Sequence, residues 1–535
     1  MIGWHPTAAR ASSARGPKAC RTSNSRWALR QRMRRIAAGV APAGGSSIRS
    51  HANPASRALS SCDAMLWLSK SADRSVTSST RVIDDGNVME SEGNSMIPTW
   101  NIDESSGRDA AELRLRRLRL NPLDLALARG ELAAKESAVR RIVADVAERG
   151  DAAIVDSARQ FDDPEFSAEQ IRVSQSEIEQ GAARVAPELL GALRRAIAQV
   201  REYQAHFLPN DPPQLARTGV CLGMRYTPID SAGLYFPGGK AAYPSSLIHL
   251  AVPAIVAGVT RVAVCTPPSK YGRGDAILAV CRELELKEVY RAGGAAGIAA
   301  LAFGTASIPA VDKIVGPGND YVQLAKRLVS GGVGIDGYLG PSEIVVIADE
   351  SGDPAFIAAD LLAQAEHDPG SCFLLTTSQE LARQVRSEIG KQIVSRGRRA
   401  AIEKSLQQDS AILISTSIDL LIDYANRFAA EHVNLQTRDD EAVLKRLKHA
   451  GAVFIGPYSP VAAGDYVAGP SHCLPTNTTA RFSSGVSVYE FLKRSSLAHY
   501  APPGIRAEIP SIVEMANEEH LDAHAASAAI RARQP

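Results

Sequence analysis

Apolar residues recur along this chain in two rhythms, and the change between them divides it. From about Ala110 to Phe207 they fall at three and four spacing, as in SAVRRIVADVAERGDAAIVDSARQF and SEIEQGAARVAPELLGALRRAIAQVREYQAHF, which predicts amphipathic helices. After Pro228 short apolar runs alternate with helical ones. The spacing predicts a strand at AGLYF, a helix at SSLIHLAVPAIVAG, a strand at RVAVCTP and a helix at DAILAVCRELE, followed by KEVYRAG, IAALAFG and VDKIVG. A second series runs through SEIVVIAD, the helix around Asp360, CFLLTTS, ELARQVRSEIG, SAILIST, LLIDYANRFAA, HVNLQ and GAVFIG. Strands alternating with crossover helices predict an α/β fold of two doubly wound halves, with a helical region before them and a helical tail after. Ligands of such folds are expected in the cleft at strand carboxyl ends.

Length agrees with several units, because 535 residues are too many for one core. The net charge of +2 conceals an asymmetry: residues 1–95 hold 14 Lys and Arg against 6 Asp and Glu, so the remainder is mildly acidic. That balance argues against nucleic acid as the main partner. No apolar run reaches the roughly eighteen residues of a membrane helix. The seven cysteines contain no CxxC pair and read as reduced thiols in a cytoplasmic setting. Residues 1–95, rich in Arg, Ser and Ala with no acid before Asp63, predict a disordered extension. It is either an organellar presequence or an over-extended start with Met89 or Met96 as initiator. Its length and its lack of amphipathic period favour the second.

Four clusters could carry chemistry. In LLAQAEHDPGS the apolar helix ends with Gln364 and His367, three apart on one face: a pair of ligands, or a polar helix end meeting solvent. AAEHVNLQ puts Glu431 and His432 where a helix meets a strand, either a general base beside a water-orienting carboxylate or a surface pair. AAGDYVAGPSHCLPT presents Asp465 and His472 in a Gly and Pro-rich loop. NEEHLDAH carries Glu519, His520 and His524 in the last helix. Gln364, His367, Asp465 and His524 together supply nitrogen and oxygen donors without thiolates, a mix that suits Zn²⁺ in a catalytic site. Two glycine turns, GLYFPGGKAAYPSS and VGPGND, stand between strand and helix, where backbone amides approach phosphate, though neither is a GxGxxG.

Taken in order, GLYFPGG, GGAAGIAALAFGT, VDKIVGPGN, GPSEIVVIAD, LLAQAEH, AAEHVNLQ, GDYVAGPSHCLPT, TARFSSGVSV and HLDAHA resemble the histidinol dehydrogenase family. The resemblance implies two incomplete Rossmann-like halves, one zinc per subunit, NAD as oxidant used twice, and a homodimer with shared active sites. It makes Gln364, His367, Asp465 and His524 the metal ligands, the last from the partner subunit. Glu431 and His432 match the catalytic pair. Ser342, His472 and Glu519 match substrate contacts, with Gln364, His367, His432, Asp465 and His524 around the same small molecule. Tyr235 and Asn319 match nucleotide contacts. The implied layout is 1–95 extension, 96–228 helical region, 229–340 NAD-binding half, 341–486 half with the zinc and catalytic residues, and 487–535 dimerisation tail.

Several positions depart from the family pattern. Ala296 stands where GGAQ has its glutamine, a loss of about 0.5–1.5 kcal/mol if one hydrogen bond goes with it. Tyr338 and Leu339 in IDGYLGPSE add bulk expected near the entrance, Ser471 precedes His472, and His520 follows Glu519. Histidinol is the expected substrate; another small polar alcohol, such as a sulfonated diol, is the alternative. A non-catalytic zinc or nucleotide binder and a hydrolytic zinc enzyme are the readings from other classes. Retention of Glu431 and His432 speaks against the binder, and two nucleotide-type halves against the hydrolase.

Overall fold

The computed structural model describes residues 96–121, 131–238, 242–367 and 369–533. The expected extension, 1–95, lies outside them. The described chain opens with strand β1 (Thr99–Asn101) and helix α1 (Ser105–Leu118). Four helices follow: α2 (Glu131–Arg149), α3 (Asp151–Phe161), α4 (Gln175–Ala183) and α5 (Pro187–His206). Each predicted helical stretch divides at a residue that suits a break: Gly150, at φ 57°, separates α2 from α3, and Pro187 opens α5.

The first half is a parallel sheet of β4 (Ser231–Tyr235), β5 (Arg261–Thr266), β6 (Glu288–Arg291), β7 (Lys313–Val315) and β8 (Gly334–Ile335), in the order β6-β5-β4-β7-β8. Helices α6 (Pro244–Ala257), α7 (Asp275–Glu283), α8 (Gly294–Phe303) and α9 (Asp320–Val329) alternate with its strands. One face packs with α4, α5, α6 and α7 through residues such as Leu234, Leu250 and Val264; the other packs with α2, α3, α8 and α9 through Ala263, Ile298 and Ile314. Each leucine, isoleucine or valine among these, removed from water, contributes about 1.5–3 kcal/mol.

The second half is a six-stranded parallel sheet built on β9 (Ser342–Ala348), β10 (Gly370–Thr376), β11 (Ala411–Ile414), β12 (His432–Gln436) and β13 (Ala452–Ile455), with β1 on its edge beside β11. Its order is β1-β11-β10-β9-β12-β13. Helices α10 (Pro354–Ala365), α11 (Gln379–Gln392) and α12 (Arg399–Gln408) cover one face; α1 and α13 (Ile418–Phe428) cover the other. Thus the residues just after Met96 serve the second sheet, whereas α2 to α5 serve the first. Two short helices, α14 (Asp440–Leu444) and α15 (Val461–Tyr466), complete this half.

An element that the hydrophobic pattern did not predict is an antiparallel sheet of β2 (Leu215–Arg217), β3 (Val220–Pro228) and β14 (Leu492–Tyr500), in which β14 pairs with β3 along all nine residues. Beyond it, α16 (Pro502–Glu518) and α17 (Asp522–Ala529) pack on each other. Within α16 only Gly504 and Ala516 are buried, while Leu497, Tyr500, Met515, Leu521 and Ile530 are exposed. Among the described residues no helix is long and apolar enough to cross a membrane.

Candidate active site

The first half puts its glycine turns at strand carboxyl ends, as expected. Gly316, at φ 132°, lies where a Cβ would stand 1.8 Å from the Tyr235 carbonyl oxygen, so the turn after β7 is pressed against the end of β4. Asn319 caps α9, its Oδ1 accepting from the Val322 amide at 3.2 Å, and its amide nitrogen is not used in that bond. Tyr235 is 2% exposed and its hydroxyl accepts from the Gly294 amide at 3.0 Å, which holds the first turn of α8. Burial pushes its phenol well up from the ordinary range. Ala296 is packed in the core inside α8. Residues 239–241 of the other glycine turn lie outside the described ones.

In the second half the direction is reversed, a correction to the expectation of carboxyl ends. Ser342 and His432 are the first residues of β9 and β12, and Glu431 directly precedes the latter. Gln364 lies in the last turn of α10, which returns to the same edge before β10 begins. The candidate chemistry therefore gathers at strand amino ends. Gln364 donates through Nε2 to the Ser342 hydroxyl, and Ser342 donates to Glu431 Oε2, which also accepts from the Glu343 amide at 3.1 Å. The amide's orientation leaves Gln364 Oε1 as an available acceptor. Burial raises Glu431 well above the usual carboxylate range, against the lowering effect of those two bonds.

His432 is 3% exposed. Its Nδ1 stands 3.2 Å from the Glu343 carbonyl and 3.5 Å from Glu431 Oε2, and Nε2 is 3.9 Å from Asp465 Oδ1. A backbone carbonyl only accepts, so the proton belongs on Nδ1 and the lone pair on Nε2 faces Asp465. Burial takes this imidazole down to about 3, so it is neutral. Burial lifts Asp465 to about 6, countered by His367. His367 is in the turn after α10, its amide donating to the Gln364 carbonyl at 3.3 Å, and its imidazole is lowered by burial and raised by Asp465.

His472 uses both ring nitrogens inside the chain: Nδ1 to the Asp465 carbonyl at 2.8 Å and Nε2 with the Ser246 hydroxyl of α6 at 2.9 Å. His249, one turn later in α6, packs against it at a tilt of 36°, with ring centroids 4.6 Å apart. Sequence reading passed over Ser246, His249 and Glu343, although a histidine interrupting the apolar run SSLIHLAVPA was a visible signal. Leu339 is 3% exposed within the core of the first half, so it adds no bulk at an entrance. Glu519 and His520 lie in the turn between α16 and α17, not in the last helix as expected, and only His524 is on α17; all three are exposed. Among the described residues no group of three His, Cys, Asp or Glu is assembled for a metal. The cleft instead gathers Gln364, His367 and Asp465, with His432 Nε2 3.9 Å from Asp465 Oδ1. An available amide oxygen, a carboxylate and an imidazole fit a borderline cation such as Zn²⁺.

These features have relatives. The family model described as histidinol dehydrogenase matches residues 128–532. The histidinol dehydrogenase of Synechococcus sp. is 45% identical over 399 residues, spanning 74% of this chain and 92% of that protein. That of Bradyrhizobium diazoefficiens is 46% identical over 397 residues, with 74% and 92% covered. A crystal structure of histidinol dehydrogenase from Elizabethkingia anophelis superposes with a TM-score of 0.75 at 33% identity, covering 82% of this chain and 99% of that one. These relatives lend no support to the diol alternative. With nine-tenths of each of these relatives matched and the same fold, this chain belongs to the histidinol dehydrogenase family.

Proposed function

We propose that this chain is a zinc-dependent, NAD-linked dehydrogenase that oxidises L-histidinol through the aldehyde to L-histidine. The observation that carries the reading is the Gln364, Ser342, Glu431 and His432 constellation, in a chain related to histidinol dehydrogenases over most of its length. We assign Gln364, His367 and Asp465 as zinc ligands of one subunit and His524 as the ligand given by its partner in a homodimer. When bound, zinc supplies a Lewis acid that holds the substrate's nitrogen atoms, and NAD⁺ supplies the hydride acceptor.

His432 takes the alcohol proton at Nε2 in the first oxidation, since that is its basic nitrogen. Glu431, with a raised pKa and a serine hydroxyl fixing its carboxyl, removes a proton from the water that adds to the aldehyde. Ser342 orients both Glu431 and Gln364. His472 and Glu519 complete the substrate pocket, the former through its ring face. Tyr235 and Asn319 shape the nucleotide site, Tyr235 by fixing the α8 turn. The exposed arm supports the dimer, because its apolar residues have no cover in one chain. Five described cysteines are unpaired, which suits a cytoplasmic setting.

The test is NADH formation by the zinc-loaded full chain with L-histidinol. Two NADH per histidinol are expected. Absence of NADH, with zinc bound, would overturn the assignment.

A further inference from the structure

We propose that Lys326, Asp336 and Gln323 are positioning residues that clamp the nucleotide turn and tie it to the segment carrying Ser342. The Gly316 peptide is held on both sides: its neighbouring groups are a buried acid and a buried amine. Its N–H donates to Asp336 Oδ2 at 2.6 Å, and its carbonyl accepts from Lys326 Nζ at 2.9 Å. Lys326 and Asp336 pair directly, with side chains 1% and 0% exposed. Gln323, 3% exposed, donates from Nε2 to the Leu339 carbonyl at 2.9 Å and the Gly318 carbonyl at 3.3 Å, and its Oε1 accepts from the Leu339 amide at 3.3 Å.

All three therefore bond to the turn, to the segment 336–339, or to both. Gln323 and Lys326 share one face of α9 at three-residue spacing. Segment 336–339 leads into Gly340, whose amide donates to Thr476 Oγ1 at 2.7 Å, and then into Ser342. One face of one helix thus fixes both the loop that receives nucleotide and the start of β9. A buried ion pair is weak evidence for stability, because an apolar pair of equal size often serves as well. Its use here lies in the two peptide bonds it holds, which an apolar pair could not make. A turn held in this way presents its amides without reorganising on binding.

The inference rests on reading the VGPGN turn as the nucleotide site. The experiment compares full-length, zinc-loaded wild type with Gln323→Met and with the double variant Lys326→Met, Asp336→Leu, which removes both charges together. Equilibrium binding of NAD⁺, KM for NAD⁺ and for histidinol, zinc content and NADH yield per histidinol are measured. Loss of one or two such bonds predicts NAD⁺ affinity and KM weaker by about three- to tenfold. Zinc content stays unchanged, any rise in histidinol KM is smaller than the rise in NAD⁺ KM, and fewer than two NADH form per histidinol as aldehyde escapes. Unchanged NAD⁺ binding in either folded variant, or parallel loss of all parameters with melting temperature, overturns the clamp. If the double variant does not fold, Gln323→Met decides alone. Wild type that binds NAD⁺ without oxidising histidinol overturns the assigned reaction and leaves the clamp to be judged on binding. Wild type that does not bind NAD⁺ overturns both.

Discussion

The side chains that carry the proposed chemistry are buried, and burial disfavours charge on them. Burial disfavours the charged form of both, lowering the His432 imidazole and raising the Glu431 carboxyl, which makes Glu431 a stronger base than an exposed carboxylate. Replacing His432 by Asn keeps a small polar group but removes the basic Nε2. The expected result is unchanged zinc content by metal analysis and a kcat about 10²- to 10⁴-fold lower. Glu343, directly after Ser342, is 3% exposed and burial raises its carboxyl to about 8. In the unfolded chain it ionises near its ordinary value of 4.5. The folded state therefore binds the extra proton between those values, and stability present below about pH 4.5 is lost as pH rises through about 8, by a few kcal/mol. Urea unfolding at pH 5 and pH 9 should show a larger fall for wild type than for Glu343→Gln, which carries no ionisable proton. The residue types of this site were legible in the sequence, but not their pairing, since Ser342 and Glu431 meet across 89 positions. Nor could spacing reveal that His472 spends both nitrogens on Asp465 and Ser246.

Elements were legible in proportion to their burial. Strands such as β9 and β10 are covered on both faces and read as unbroken apolar runs. Strand β14, LKRSSLAHY, is almost wholly exposed and carries no apolar alternation, so only its partner β3 makes it a strand. The end of α10 was visible as a polar turn, yet its direction relative to the sheet was not. That end depends on Gly370, where a Cβ would stand 2.2 Å from the Gln364 carbonyl oxygen. Gly370→Ala is expected to push the last turn of α10 away, costing about 1–3 kcal/mol in denaturant unfolding and lowering zinc occupancy in proportion to the displacement of Gln364.

For the whole molecule, the arm formed by β14, α16 and α17 is anchored along one ladder and presents Met515, Leu521 and Ile530 to solvent. If His524 serves the partner's site, two inactive variants should complement. Refolding His524→Ala together with His432→Asn in equal amounts is expected to restore about a quarter of wild-type activity, because half the dimers are mixed and each has one intact site. No recovery would mean that each site is completed within its own chain. That the two halves present their candidate residues at opposite strand ends has an electrostatic consequence as well. Beside the end of β4 and just after β7, α8 and α9 begin, so the positive ends of their dipoles lie at strand carboxyl ends. At the strand amino ends that hold Ser342 and His432, α10 finishes, and the negative end of its dipole lies there. The backbone thus polarises the two halves in opposite senses: the proposed nucleotide turns lie at positive helix ends and the proposed zinc ligand Gln364 at a negative one, before any charged side chain takes part.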